Sequence, residues 1–345
     1  MLEINRIQQK IVNVAYQKLI GDRRCKFNDF SKVSPENRTV NSPIMQFYSS
    51  VDNIGNYLPV LGIQKMLSQS SDTWCIHDKN IDFDFINTNY KCVIIGGAGL
   101  LHECFEEFWN KFLNECRLPT IIWGVGLCLP DSSGVRTDLV DSTKRSGVSQ
   151  KVVMEVAKRC DLVNVRDNLT ANYYNFKDVD ISVCPTVVYV EKFKKSLYKE
   201  SSQVLFSSHK ELVAVSTQKR LKASLKKLVP KFAYTDNIQK PSSGIDDIIS
   251  RYYCPTSILV TTRLHGAIIA YGLNVPYIAI PRDEKLRDFH RLYSNGISIE
   301  NIVDLENALK QGLTNNIPMK PIAINPVLTF GEKASEWVAS CCNNR

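Results

Sequence analysis

Short apolar runs alternate with longer stretches in which apolar residues recur at helical spacing. In the first part of the chain the regular alternation starts near Ile44. Gly55 marks a loop there, and Leu58–Leu67 is predicted to be helical. Val93–Ile95 reads as a strand, followed by Gly96-Gly97-Ala98-Gly99 and a helix to about Glu115, closed by Pro119. Thr120–Val125 is the next strand, and 130–148 is polar and loop-like. Ser149 opens a helix whose Val152, Val153, Val156 and Ala157 share a face. Leu162–Val165 is a strand ending at Arg166-Asp167, with Asp167 as N-cap of the helix after it. Ile181–Cys184 is a further strand before Pro185.

The alternation then begins afresh. Val204–Phe206, Phe232–Tyr234, Ser257–Val260 and Val275–Ile280 read as strands. Residues 210–228, 244–252, 264–271 (capped by Gly272), 285–293 and 332–341 read as helices. Strands alternating with helices imply parallel sheets with helices on both faces. Ahead of this, 3–20 is a predicted helix with Ile4, Ile7, Ile11 and Leu19 on one face, stopped by Gly21 and followed by a polar stretch over 22–43. The lysine-rich 192–202 is the best linker. The expected organisation is a helical extension (1–43), a first Rossmann-like domain (44–198), a short second one (199–325) and a C-terminal helix (326–345).

Composition narrows the class. With 345 residues, 44% hydrophobic and 23% charged, the chain can bury two cores and is neither disordered nor collagen-like. No apolar run approaches the roughly 18 residues of a membrane span, and the N-terminus lacks a signal peptide's apolar stretch, so the expected location is the cytoplasm. The net charge of +8 suits an anionic partner, or solubility alone. The eleven cysteines are scattered without a CxxC pair, so zinc is poorly supported; they read as reduced core thiols.

Ligands of open α/β sheets bind beyond the carboxyl ends of the strands. Three loops there carry chemistry. Glycines in Gly96-Gly97-Ala98-Gly99 let backbone amides approach an anion, or simply allow tight strand–helix packing; neither GK[ST] nor GxGxxG is present. Arg166 at a buried strand end needs an anion, supplied by Asp167 or by a ligand. Most informative is Thr261-Thr262-Arg263-Leu264-His265-Gly266-Ala267, where an apolar strand ends in two hydroxyls, a bidentate cation and a group that titrates near neutrality.

Thr262-Arg263-Leu264-His265-Gly266-Ala267, with the run to Pro276, resembles the signature of the polysaccharide pyruvyl transferase family. The glycine loop with Leu100-Leu101, Trp123-Gly124-Val125-Gly126, Val165-Arg166-Asp167 and Cys184-Pro185-Thr186 agree in order and spacing, from about residue 48 to 293. The resemblance implies an α/β, GT-B-like fold of two Rossmann-type domains facing each other across a cleft. It implies transfer of the pyruvyl group of phosphoenolpyruvate onto two hydroxyls of a sugar, forming a cyclic ketal, with no metal or organic cofactor. It matches Arg263 and His265 to the donor-site Arg and His, Arg166 to a further donor-binding Arg, and Lys285 to the Lys after the final strand. Gly97, Gly99 and Asn53 complete the candidate site. Asn56 stands where the family usually has Asp, so a carboxylate base at that position is missing.

His265 is the best candidate to deliver a proton to the methylene carbon, with His102 and His209 next. The alternative enzyme class is a GT-B glycosyltransferase using a nucleotide sugar, but no secure ribose-binding Glu is visible. Nucleic-acid binding rests only on Lys219, Arg220, Lys222, Lys226 and Lys227, which lack interleaved aromatics, and is not expected. Those cations around Leu221, Leu225 and Leu228 also describe a helix able to meet an anionic inner membrane surface, in keeping with a lipid-linked sugar acceptor, or an ordinary helix packing its leucines on a sheet.

Overall fold

The computed structural model describes residues 28–50, 52–127, 147–197, 203–208, 213–229, 231–293, 295–314 and 319–343, with Ala15, Leu19, Gly21, Arg23, Arg24 and Ile317 besides. The expected helix over 3–20, apart from Ala15 and Leu19, the polar loop from 130 to 146, the linker end 198–202 and His209 lie outside the described residues.

The first sheet is built from β1 (Ile44–Tyr48), β2 (Asp72–Cys75), β3 (Cys92–Gly96), β4 (Thr120–Val125), β5 (Leu162–Val165) and β6 (Asp180–Ile181). Their order is β2-β1-β3-β4-β5-β6, all parallel. Between them run α1 (Ile54–Leu67), α2 (Phe83–Asn89), α3 (Glu106–Glu115), α4 (Gln150–Arg159) and α5 (Asn168–Tyr173). A short helix α6 (Thr186–Val190) leads out of the first sheet. The second sheet holds β7 (Gln203–Ser207), β8 (Phe232–Thr235), β9 (Thr256–Thr261), β10 (Tyr277–Ala279) and β11 (Gly296–Ser298). Its order is β11-β10-β9-β7-β8, again all parallel. Its helices are α7 (Val215–Leu228), α8 (Ile245–Ile248), α9 (Leu264–Leu273), α10 (Glu284–Tyr293) and α11 (Leu305–Leu313). The last helix, α12 (Asn325–Asn343), returns to the first sheet and packs Phe330, Ala334 and Val338 with Ile44, Ile94 and Trp123. The fold is therefore α/β, with two Rossmann-type sheets.

β1 and β3 are buried along their whole length, as strands covered by helices on both faces must be. The two sheets share one core. Tyr57, Leu58 and Val60 of α1, Val187, Val188 and Val190 of α6 and Ile268, Ile269 and Leu273 of α9 belong to a single apolar cluster. Glycines make the approach possible. A β-carbon at Gly62 would lie 2.1 Å from the Pro185 carbonyl oxygen, and one at Gly272 would lie 3.2 Å from Val187 Cα.

Several boundaries differ from the sequence reading. Gly55 is inside the first turn of α1, not in a loop, because Asn53 caps that helix. No helix starts at the glycine loop: a 3₁₀ turn, Glu103–Phe105, precedes α3. The extended residues at 180–184 pair only over Asp180–Ile181. Gly272 is not the cap of α9; Asn274, at φ 60°, is. Asn tolerates that left-handed conformation, which leaves Gly272 for packing. In α7, Leu221 and Leu225 are wholly buried in the core while Lys219, Arg220, Lys226 and Lys227 are exposed, so the leucines face the sheet. Lys222 is half-buried and stands 3.7 Å from the centre of the Tyr234 ring. Among the described residues no helix is long and apolar enough to cross a membrane, and no group of three metal-ligating side chains occurs.

Candidate active site

The strand orders locate the site. In the second sheet the order reverses between β7 and β9, and a crevice opens at such a switch point. β9 ends there at Thr261, whose hydroxyl accepts the Arg263 N–H at 2.9 Å and fixes the turn into α9. Arg263 is the N-cap residue, 5% exposed, and His265 lies in the first turn. Gly266 is required at the next position, since a β-carbon there would stand 2.4 Å from Thr261 Oγ1.

His265 faces the first domain. A β-carbon at Gly55 would lie 2.5 Å from its Nδ1, so the ring rests against the first turn of α1. Its Nε2 stands 3.8 Å from Cys184 Sγ, and that thiol also contacts Thr186 Oγ1 at 3.3 Å. Burial pushes the Cys184 thiol up, so it stays protonated and is no nucleophile. His265 is held well below the ordinary histidine range, first by burial and then by the positive charges of Arg166, Lys285 and Arg263. Arg166, almost a hundred residues earlier, and Lys285 are thus brought near the Arg263–His265 pair.

The remaining partners differ in availability. Arg166 is 2% exposed, and its Nε donates to Asp167 at 3.0 Å while Nη2 donates to the Leu127 carbonyl at 3.4 Å. Asp167 in turn caps α5 through the Thr170 N–H at 2.9 Å. Lys285 pairs with Asp283 at 3.1 Å. Both cations are therefore held in place by a carboxylate and carry a locally compensated charge. Asn53 accepts the Gly55 N–H at 3.0 Å, which orients the turn under His265.

Gly97 is a correction. Its N–H donates to the Trp123 carbonyl at 2.8 Å and is not available to an oxyanion. At φ 78° it carries no side chain because a β-carbon would stand 2.1 Å from Pro59 Cβ. The glycine there serves the packing of β3 against α1. Gly99 is half-buried in the turn that follows. His102 accepts the Cys104 N–H at 3.1 Å and caps the 3₁₀ turn. Its geometry is that of a turn residue.

The sequence reading passed over two features of this site. Gly126 leaves room for Arg166, because a β-carbon would stand 2.1 Å from Nη2. The loop after β8 crosses to the first domain, where the Asn237 carbonyl accepts the Ile54 N–H at 3.0 Å. The isolated DN pair gave only a weak turn signal, and its partner lies almost two hundred residues earlier.

The sequence pattern of polysaccharide pyruvyl transferases matches residues 20–284. The chain belongs to this family. A comparison with curated proteins finds no match. Among solved structures, similarity is found to the UDP-GlcNAc 2-epimerase of Methanocaldococcus jannaschii in complex with UDP-GlcNAc and UDP. Identity is 12%, covering 86% of this chain and 99% of that one, with a TM-score of 0.48. The UDP-GlcNAc 2-epimerase of Neisseria meningitidis bound to UDP-GlcNAc follows at 13% identity, 88% and 100% coverage and a TM-score of 0.44. The wall teichoic acid polymerase TagF is similar at 11% identity, 98% coverage of both chains and a TM-score of 0.41. In this family member the match runs through the first sheet and the second as far as β10, ending at Glu284, and so includes Asn53, Arg166, Arg263 and His265.

One prediction follows from the contact at α1. Gly55→Ala should push the imidazole off its seat, since the added carbon overlaps Nδ1. A misplacement of about 1 Å can cost on the order of a hundredfold in rate. Turnover should fall by that order while circular dichroism remains native; unchanged turnover would show that the ring position is not critical.

Proposed function

We propose that the protein is a phosphoenolpyruvate-dependent pyruvyltransferase that forms a cyclic ketal on two hydroxyls of a sugar. The single observation that carries this reading is the convergence of Arg166, Arg263 and Lys285 on His265. Phosphoenolpyruvate brings a phosphate and a carboxylate, and a cluster of cations at a strand-end crevice answers both. Arg263 supplies the bidentate grip. Arg166 and Lys285, fixed by Asp167 and Asp283, hold the rest of the donor.

His265 is the proton donor to the methylene carbon. Burial first, and then the charges of Arg166, Lys285 and Arg263, hold it well below the ordinary histidine range. A trianionic donor opposes the cationic part of that shift, and on this reading the imidazole takes up its proton as the donor binds. The acid is charged only when there is something to protonate. The first sugar hydroxyl adds at C2; the second then displaces phosphate within the same complex, where proximity removes most of the entropic cost.

The test is incubation with phosphoenolpyruvate and a panel of glycolipid and hexoside acceptors, followed by mass spectrometry. An added pyruvyl group with release of phosphate is the expected result. A protein whose melting temperature ignores phosphoenolpyruvate but responds to UDP does not fit the reading. The reading extends to an anionic membrane surface, met by the exposed Lys219, Arg220, Lys226 and Lys227. Co-sedimentation with anionic vesicles, fading with salt, is the expected result; indifference to such vesicles at low salt removes this part.

A further inference from the structure

Adding a sugar hydroxyl to C2 requires a base, and Asn56 is an amide that cannot accept a proton at neutral pH. Two carboxylates lie close to the donor cations, Asp167 beside Arg166 and Asp283 beside Lys285. A third lies on the opposite flank of the crevice. β8 ends at Thr235, and Asp236 follows it. Thr235, Ser207 and Thr261 are aligned in register across β8, β7 and β9. Asp236 and Thr262 therefore stand one step beyond the same rung, two strand spacings or roughly 10 Å apart. A sugar diol fits a gap of that size.

The loop carrying Asp236 is tied to the seat of His265. The Asn237 carbonyl accepts the Ile54 N–H at 3.0 Å, and the Gln239 N–H donates to the Asp52 carbonyl at 2.8 Å. Asn53 and Ile238 form an antiparallel bridge. His265 rests on Gly55, the very next residue after Ile54. The loop and the imidazole thus bracket one helix start. The Tyr234 phenol feels both sides of the crevice: burial and Asp236 push it up to about 12, while Arg263 pulls it down.

Two polar atoms beside Asp236 are buried without a hydrogen-bond partner, Tyr234 Oη and Asn237 Nδ2. Asn237 is wholly buried, and its Oδ1 accepts from the Tyr253 hydroxyl at 2.9 Å, which fixes the amide orientation. Buried polar groups are nearly always satisfied, so two exceptions flanking one carboxylate point to a hydroxyl-bearing ligand.

We propose that Asp236 is the general base of the acceptor side, with Tyr234 Oη and Asn237 Nδ2 holding the sugar diol beside it. This rests on the pyruvyl-transfer reading above. In the first step the hydroxyl proton passes to the Asp236 carboxylate. The oxygen bonds to C2, and the C2–C3 π pair takes a proton from the His265 imidazolium. In the second step the other hydroxyl bonds to C2 and gives its proton to the now neutral His265. The C2–O bond to phosphate breaks, and the departing phosphate takes the proton held by Asp236. One methyl group, one ketal and hydrogen phosphate result, and both side chains regain their starting state.

The experiment measures ketal formation from phosphoenolpyruvate and a set of methyl hexosides with free 4- and 6-hydroxyls, together with the melting-temperature shift that phosphoenolpyruvate produces. Asp236→Asn keeps an oxygen for the Ile238 N–H, which Asp236 Oδ1 now accepts at 3.2 Å. Its turnover should drop by roughly two to four decades, the usual worth of a positioned base, with the phosphoenolpyruvate shift intact. Asp236→Glu should recover at least tenfold over Asn. Near-normal turnover in Asp236→Asn overturns the assignment. If the Asn variant does not fold, Asp236→Glu decides: a base displaced by one methylene must lower turnover at unchanged donor affinity, and full turnover overturns the proposal. A native protein that binds phosphoenolpyruvate but pyruvylates none of these hexosides overturns the assigned acceptor class. A native protein that does not bind phosphoenolpyruvate overturns the reading underneath.

Discussion

Arg263→Ala is expected to cut turnover by roughly two to three decades, the equivalent of about 2–4 kcal/mol of transition-state stabilisation. The guanidinium is 5% exposed at the end of β9, inside the switch-point crevice, and its backbone N–H is anchored on Thr261. A side chain so placed loses little freedom when it grips an anion, so its removal costs most of the charge-assisted interaction. Arg263→Lys should rescue little, because a single ammonium cannot reproduce the two parallel hydrogen bonds. Steady-state kinetics with varied phosphoenolpyruvate is the measurement. An alanine variant with near-native turnover and donor affinity would remove Arg263 from the site.

His265→Gln should lose turnover by roughly two to four decades while keeping donor binding. A second signature is thermodynamic. The native pKa of His265 lies below its unfolded value. Between the two, the unfolded chain binds a proton that the folded chain does not, so stability declines as pH falls through the ordinary histidine range. Below the native pKa the loss is complete. Phosphoenolpyruvate should offset the part that the cations cause by raising the native pKa, and binding near pH 7 should take up a proton. Calorimetry in buffers of different ionisation enthalpy reads that uptake directly. Its absence in the native protein, or its persistence in His265→Gln, would assign the proton elsewhere.

The parts of this site legible in the sequence were those written locally. An apolar strand ending in hydroxyl, Arg and His announces itself within ten residues, and Arg166 was exposed by the cost of a cation at a buried strand end. The Asp167 partner was legible for the same reason. What escaped was decided by residues distant in the chain. Gly97 looks like an anion cradle until Trp123 claims its N–H and Pro59 fills the space of its β-carbon. Gly272 looks like a cap until Val187 presses on it and Asn274 takes the left-handed turn. Asp236 and Asn237 carry no pattern of their own; only the pairing of their loop with 52–54 brings it to the helix start on which His265 rests. A glycine serves turns, ligands and packing alike, and one sequence does not say which neighbour it will meet.

Domains that meet through a polar seam can melt one at a time. Here α6, tied to α1 by the hydrogen bond from Lys65 to the Val188 carbonyl at 2.8 Å, is wedged between α1 and α9 in one continuous apolar cluster. Pulling the halves apart would expose that cluster to water, so neither half keeps its stability alone. Heating should therefore give one calorimetric transition with matching van't Hoff and calorimetric enthalpies. Separately expressed halves should be insoluble or molten, and access to the crevice must come from motion of its rim rather than from a hinge between two independent bodies.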